Sequence, residues 1–346
     1  MINAREHIYD TCVQNDDGAV SQIYTYQAQN IAYCPVAKVG STFWKRVLLF
    51  LHNDTGKFNV DSPFQIPRFF THYGPKKRMK RMTFDVISRE FISKQTRFMF
   101  VRNPYSRLWS AYLDKFFLPD FWGRAAKAIV ALRKEKQKLK SKVCGHDVTF
   151  LEFLKYVLSL KEFLSNPAVF NEHWRPIQYM CNPCQYRPHF IGKLETFSQD
   201  SKHIIKQLGI EHIFANDEGS KYQIEEELKT LVDYNFKRIT MREVKDCLTP
   251  NELAVRLWTV FEFNGYLPFG SRHVLNGTAN MTADAFLELV LKTRRLGASY
   301  EDRWKRQRLS TLESAYKTVP DDVMTGLKDL YKMDFVHFNY DPDPFK

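Results

Sequence analysis

Lys38, Gly40, Ser41 and Thr42 lie between a short apolar run, Ile31–Cys34, and a helical pattern of Phe43, Val47, Phe50 and Leu51. A helix start presents unpaired backbone N–H groups and a partial positive charge, which makes it a natural anion site. Lys38 adds a full charge, Gly40 lets the backbone come close, and the two hydroxyls add donors. The chemistry that suits this stretch is the grip of a phosphate or sulfate. It is not a Walker A loop, which needs a second Gly with four residues between and a Lys immediately before Ser or Thr. The plain alternative is an ordinary strand-to-helix turn capped by Ser41.

A second group follows the buried-strand run Phe98–Val101: Arg102 leaves the strand, Pro104 suits the first position of a helix, and Arg107 and Ser110 lie along that helix. An arginine is a bidentate partner for phosphate, and a nearby hydroxyl can complete such a site. Surface ion pairs are the plain alternative for Arg102 and Arg107. Further on, His173 sits in Asn171-Glu-His-Trp174, followed by Cys181-Asn-Pro-Cys184. The cysteine pair is open to three readings: half of a zinc site, a redox pair, or two members of separate disulfides. A third apolar run ends in the polar turn Lys193-Leu-Glu195-Thr196, with a helix expected over 197–208.

Three strand–turn–helix units make an α/β protein with a parallel sheet and crossover helices the economical architecture, and ligands of such sheets bind at the carboxyl ends of the strands. All three polar turns fall there. Residues 1–30 read as polar and turn-rich, and 52–80 as a proline-bearing surface loop with short helical pieces; the basic run Lys76–Arg81 at its end is either a solvated loop or a glycan or polyanion contact. Residues 121–147, with the run Arg133–Lys142, read as an exposed helix or a mobile segment. Helices are predicted over 150–160, within 225–265 with a cap-and-start signal at Thr249 and Pro250, and around 282–296 and 320–331, with a loop over 266–280.

The 346 residues suffice for one large α/β domain with elaborations or two small ones. A net charge of +12 and a pI near 9.3 favour an anionic partner, be it a nucleotide, an acidic polysaccharide, a nucleic acid or a lipid surface. No apolar run approaches the roughly 20 residues of a membrane-spanning helix, and the first residues lack the apolar core of a signal peptide. The six cysteines permit disulfides without requiring them, and Asn53, Asn276 and Asn280 are glycosylation sequons, a mild pointer to a secretory compartment.

In order along the chain, Ala37-Lys-Val-Gly-Ser-Thr-Phe-Trp-Lys-Arg-Val-Leu, Phe100-Val-Arg-Asn-Pro-Tyr-Ser-Arg-Leu-Trp-Ser-Ala-Tyr, Asn171-Glu-His-Trp, Cys181-Asn-Pro-Cys, Ile191-Gly-Lys-Leu-Glu-Thr and Tyr331-Lys-Met-Asp-Phe-x-x-Phe-Asn-Tyr340 resemble the Golgi carbohydrate sulfotransferases of the chondroitin and dermatan 4-O-sulfotransferase type. The resemblance covers about residues 31–240 and 310–340, and the stretch near 241–309 looks like a helical insertion in a single sulfotransferase domain. It implies a P-loop-kinase-like sulfotransferase fold and 3′-phosphoadenosine-5′-phosphosulfate as donor, with no metal. Lys38, Val39, Gly40, Ser41, Thr42 and Phe43 match the loop that holds the 5′-phosphosulfate. Arg102 and Ser110 match the residues that hold the 3′-phosphate, and Arg107 is grouped with them. His173 falls on the family's expected general base, with Lys38 the second catalytic group.

The same resemblance implies an acidic glycan acceptor such as chondroitin or dermatan, no nucleic-acid partner, and the Golgi lumen. Membrane attachment would come only through an anchor of the family type, which this sequence does not show. Two departures stand out. Gly40-Ser41-Thr42-Phe43 replaces the commoner Ala-Cys-Thr-Asn, with Ser41 keeping a donor. His189 stands where the family commonly has an acidic or aromatic residue, which bears on acceptor identity. A phosphoryl-transfer enzyme on the same fold and a non-catalytic polyanion-binding relative are the competing classes.

Overall fold

The computed structural model describes residues 10–12, 18–79, 81–84, 87–135, 137–166, 169–214, 220–277, 280–297 and 301–345. Lys80, within the basic run, lies outside them. The chain forms two compact units: Met1–Leu108 with Leu158–Gly219 and Thr325–Pro344, and Trp109–Val157 with Ser220–Met324 and Phe345–Lys346.

The first unit is built on a five-stranded sheet of β1 (Gln22–Tyr26), β2 (Ile31–Cys34), β3 (Arg81–Thr83), β4 (Thr96–Val101) and β5 (Phe190–Lys193), in the order β3-β1-β2-β4-β5. The three strands read from sequence pair in parallel: Tyr33 lies opposite Phe98 across β2 and β4, and Phe98 opposite Phe190 across β4 and β5. Every residue of β2 and the last four of β4 are buried, which is why both segments read as unbroken apolar runs. The sheet is mixed rather than wholly parallel, because β1 runs antiparallel to both β2 and β3. The α/β reading stands, but residues 1–30 are not all turn. Ile23, Tyr24 and Thr25 are buried in β1, and the exposed residues around them hide the strand in the sequence.

Helix α1 (Ser41–Leu51) follows β2 and buries Trp44, Val47, Leu48 and Leu49 against the sheet. Trp44 meets Phe98 edge-on at 4.5 Å, and Tyr33 stacks on Phe98 at 4.9 Å. Helix α2 (Pro104–Tyr112) follows β4. The Asn103 side-chain oxygen accepts from the N–H groups of Tyr105 at 3.0 Å and Ser106 at 3.3 Å, so Asn103 caps α2 and Pro104 takes its first position. A helix over Phe197–Leu208 follows β5. Gly192 of β5 leaves room for Phe100 of β4, since a Cβ there would lie 2.3 Å from that ring.

Cys181 bonds to Cys34 and Cys184 to Cys12. The Cys-x-x-Cys pair is therefore shared between two disulfides, which leaves it no thiolates for zinc or for a dithiol redox couple.

The second unit is helical, with helices over Ser220–Arg238, Pro250–Phe263, Ala283–Leu296 and Glu301–Tyr316. Thr249 and Glu252 form the reciprocal cap that starts the second of these. The helix over 301–316 was not expected: its charged, weakly periodic sequence carries little signal. Residues 121–147 are also more ordered than their charge suggests. Trp122, Ala126, Ile129 and Val130 are buried, and Arg133 pairs with Glu152 at 2.5 Å and Asp147 at 3.1 Å. A third disulfide joins Cys144 to Cys247. No helix among the described residues is long and apolar enough to cross a membrane.

Candidate active site

The three polar turns do meet at the carboxyl ends of β2, β4 and β5. In the first, Gly40 occupies the cap position of α1 at φ 83°, with no side chain capping the helix. Ser41 is thus the first helical residue and not the cap, and the end of α1 keeps its electropositive character. A Cβ at Gly40 would meet the Phe197 ring at 2.5 Å, so both the backbone angle and the space demand glycine. Lys38 is half-buried and also has a positive φ, 69°, an uncommon conformation for a lysine that is typical of constrained sites.

Val39 is fully buried. Thr42 hydrogen-bonds the Nε2 of His72 at 3.0 Å. Phe43 packs against Trp44, Phe64, Phe197 and Phe214, so its ring belongs to an aromatic cluster.

Both arginines of the second turn are buried, which removes the surface ion-pair alternative. Arg102 donates from Nε to the Ser106 hydroxyl at 2.7 Å and from Nη1 to the Lys38 carbonyl at 3.2 Å. Arg107 is 1% exposed and donates only to main chain: Nε to Ala37 at 3.0 Å, Nη1 to Arg175 at 2.6 Å and Nη2 to Glu172 at 2.8 Å. It clamps the Lys38 turn to the His173 loop. Ser110 lies two turns along α2, half-buried, and falls within the second compact unit.

His173 is half-buried in its loop. Its Nδ1 lies 2.7 Å from the Asn171 side-chain oxygen, which also accepts the His173 backbone N–H at 3.0 Å. An amide oxygen only accepts, so Nδ1 carries the proton and Nε2 is the basic nitrogen of the neutral ring. The C-terminal segment holds this loop in place. Tyr331 donates its hydroxyl to the Trp174 carbonyl, and both carboxylate oxygens of Asp334 accept from the Ile177 N–H at 2.9 Å. Burial pushes the Asp334 pKa up to about 6, against the backbone hydrogen bonds and the Arg107 charge that favour its ionised form.

At the third turn Glu195 accepts from the Asn103 N–H at 3.0 Å and from the Tyr340 hydroxyl at 2.9 Å, and the Lys193 ammonium lies 4.3 Å from the centre of the Tyr340 ring. Burial raises the Tyr340 pKa and keeps the phenol neutral.

The sequence placed Tyr340 in a family block without a site role, and gave none to Arg175 next to His173. Arg175 is 4% exposed, and its Nε and Nη2 have no hydrogen-bond partner among the described residues. Its adjacency to the Asn171–Trp174 block was the available signal. His189 is at the other end of β5: its Nδ1 accepts from the Arg97 N–H at 2.9 Å and its own N–H donates to the Arg97 carbonyl at 2.7 Å. It extends strand pairing at the end of the sheet remote from the turns.

An uncapped helix start with a lysine, a buried arginine on the adjacent strand end and a histidine whose Nδ1 is held by Asn171 are groups whose chemistry suits holding an anion and accepting a proton, and Arg107 ties the Lys38 turn to the histidine loop. The sulfotransferase family profile matches residues 21–261, and the chain belongs to that family. Among its relatives are carbohydrate sulfotransferase 12 of Xenopus laevis, 33% identical over 205 residues (53% of this chain, 47% of that protein), and carbohydrate sulfotransferase 11 of Rattus norvegicus, 27% identical over 220 residues (60% and 61%). Carbohydrate sulfotransferase 9 of Homo sapiens is 31% identical over 196 residues (55% and 41%). The chain spans from about two fifths to three fifths of the length of these relatives. No solved structure matches it.

Proposed function

We propose that this chain is a carbohydrate sulfotransferase that moves a sulfuryl group from 3′-phosphoadenosine-5′-phosphosulfate to a sugar hydroxyl of an acidic glycan such as chondroitin or dermatan, on a P-loop-kinase-like sulfotransferase fold. The observation that carries the reading is the clamp: Arg107 and Arg102 bind the main chain of the Lys38 turn, and Arg107 also binds the loop that bears His173.

The residues fit the donor. The open start of α1 with Ser41 and Thr42 suits its 5′ phosphosulfate, through backbone groups of Val39, Gly40 and Phe43 as well as the hydroxyls. Arg102, buried and one carbonyl away from Lys38, suits the 3′-phosphate, and Ser110 is assigned with it on family resemblance. Arg107 is reassigned from donor contact to positioning residue, since its three donor nitrogens are engaged by carbonyls.

Bound there, the donor supplies an activated sulfuryl group with a good leaving group. In the transfer, the acceptor oxygen forms a bond to sulfur as the sulfur bond to the 5′-phosphate oxygen breaks. His173 takes the hydroxyl proton at Nε2, while Asn171 holds the ring and the proton on Nδ1. Lys38 offsets negative charge as it develops on the leaving oxygen. The charge work falls to fixed cations and backbone donors, as in phosphoryl transfer.

We place the enzyme in the Golgi lumen, a reading supported by three disulfides, which persist in oxidising compartments. We read residues 1–346 as one sulfotransferase domain, with 1–30 as an extension that lends β1 to the sheet and about 241–309 as a helical insertion.

The test is transfer of radiolabelled sulfate to a panel of desulfated glycosaminoglycans. Wild type should label chondroitin or dermatan without added nucleoside triphosphate, and Lys38→Ala should lose at least about tenfold in turnover, roughly 1.4 kcal/mol or more of transition-state stabilisation. Phosphate transfer dependent on magnesium and ATP would favour a kinase instead. Glycan binding with no turnover of either donor would leave a polyanion-binding relative.

A further inference from the structure

One cluster beside His173 has no part in the donor site. Tyr24 of β1 faces Arg81 of β3 directly across the antiparallel pair, so the two side chains share a face of the sheet edge. Arg81 hydrogen-bonds the Tyr24 side chain. Over the same ring, 5.8 Å from its centre, lies the ammonium of Lys45, one helical turn beyond Ser41 on α1. Among the described residues no hydrogen bond or ion pair satisfies that ammonium.

The charges around Lys45 are unbalanced. Arg81 and Lys76 both repel it, and Glu172, adjacent to His173, is the carboxylate that attracts it and also acts on Tyr24. Burial is the main cause that lowers the Lys45 pKa, with Glu172 opposing it and Arg81 adding to it. Lys76 itself is occupied, donating to the carbonyls of Phe70 at 2.8 Å and Gly74 at 2.7 Å. The segment that carries it is anchored by buried Asp54, whose carboxylate accepts from the N–H groups of Lys77, Arg78 and Met79 at 2.8–3.1 Å. The start of the basic run is thus fixed in place and delivers Arg81 to the sheet edge; it is not a loose solvated loop. Two cations are held there beside one carboxylate.

We propose that Lys45 and Arg81, positioned by Tyr24, form an acceptor subsite that takes an anionic group of a sugar, a carboxylate or a sulfate ester, next to the residue whose hydroxyl is presented to His173. This rests on the sulfotransferase reading for its second half; the anion subsite itself does not. Glu172 faces the same cations and would be displaced or shared when the anion arrives. It also disfavours a second negative charge near His173, so the subsite selects where along a polyanion the reacting hydroxyl falls.

The test is binding, read by calorimetry at low salt on the intact chain, with four defined hexasaccharides: unsulfated chondroitin (carboxylates only), carboxyl-reduced chondroitin sulfate (sulfates only), carboxyl-reduced unsulfated chondroitin (neutral), and chondroitin sulfate. Wild type should bind at least one of the two ligands that carry a single kind of anion about tenfold more tightly than the neutral one, the scale of a charge-assisted hydrogen bond. Lys45→Gln and Arg81→Gln should each cut that preference to about threefold or less, and Lys45→Arg should retain it. The carboxylate-only and sulfate-only arms say which anion is read.

Wild-type binding that ignores charge, or Gln variants that keep the wild-type preference while melting normally, would overturn the subsite. A Gln variant that fails to fold is replaced by Arg81→Lys and Lys45→Arg, which must preserve the preference if the proposal is right. Sulfate transfer and binding of adenosine 3′,5′-bisphosphate are measured on the same samples. Charge preference without donor binding would sink the sulfotransferase reading alone, and transfer without charge preference would sink the subsite alone.

Discussion

Arg107 and Ala37 are joined by a 3.0 Å hydrogen bond from the guanidinium Nε to the backbone carbonyl, and the other two nitrogens of the same group hold the carbonyls of Glu172 and Arg175. A residue of α2 therefore sets the separation between the Lys38 turn and the His173 loop. Burial lowers the Arg107 pKa, while Tyr331, Asp334 and Glu172 act to keep it charged.

That geometry distinguishes a strut from a ligand contact. Lysine keeps the charge of Arg107 but cannot span three carbonyls with a fixed fork. Arg107→Lys is expected to lose about 2–4 kcal/mol of stability, because buried carbonyls lose their donors. It should weaken donor binding and turnover together. A thermal melt unchanged from wild type, with only donor affinity lost, would return Arg107 to the donor site.

Arg102 should read the 3′ end of the nucleotide. Arg102→Ala is expected to weaken adenosine 3′,5′-bisphosphate by about tenfold or more, the cost of a lost charge-assisted contact, and 5′-adenosine monophosphate far less. Equal losses for the two ligands in a calorimetric titration would mean that the loss comes from the Lys38 turn, whose carbonyl Arg102 also supports.

For His173 the informative substitution is Gln, which retains a hydrogen bond but accepts no proton. His173→Gln should bind donor within a few-fold of wild type while turnover falls by about 10²-fold or more. Asn171→Ala should impair turnover less, by releasing the ring whose Nδ1 it holds at 2.7 Å. A folded His173→Gln protein with near-normal turnover would shift attention to His72, which lies against Thr42 in the first turn. His52 is a weaker substitute, since it bonds the Thr25 carbonyl at the far end of α1.

Asp334 gives a pH signature. Burial raises its folded pKa to about 6 from the 3.8 of an exposed aspartate. The native state therefore binds more protons than the unfolded state between those values. The Asp334 contribution to stability is full below about pH 4 and falls as pH rises through 6. Asp334→Asn should flatten that part of the stability–pH curve measured by denaturant unfolding. An unchanged slope would show that the carboxyl is ionised throughout.

The parallel half of the sheet was legible because β2 and β4 are buried on both faces, so each writes an apolar run directly into the sequence. The antiparallel half was not. β1 owes its burial to partners far along the chain, and β3 has three residues, two of them exposed. The site followed the same division. The groups at strand ends, Lys38, Arg102 and Glu195, could be read from local pattern, and the turns they mark do come together. The connections among them could not, because Arg107 acts through main-chain carbonyls that carry no residue-specific signal. Arg81 of the cationic cluster was visible only as part of a charge run, Lys45 only as one residue of the first family block, and Tyr24 not at all. Pairing β3 against β1 is what turns one member of that run into a partner of Tyr24.

The three disulfides have a consequence for how the chain survives cutting. The span from Cys12 to Cys184 overlaps the span from Cys144 to Cys247, so any single backbone break between residues 12 and 247 leaves one covalent molecule. Beyond Cys247 that insurance ends. Tyr331 and Asp334, which support the His173 loop through hydrogen bonds, belong to the part of the chain that no disulfide ties back. A protease cut after the exposed Arg272 can therefore release the fragment that carries the loop's supports, whereas a cut near Lys138 sheds nothing until the protein is reduced.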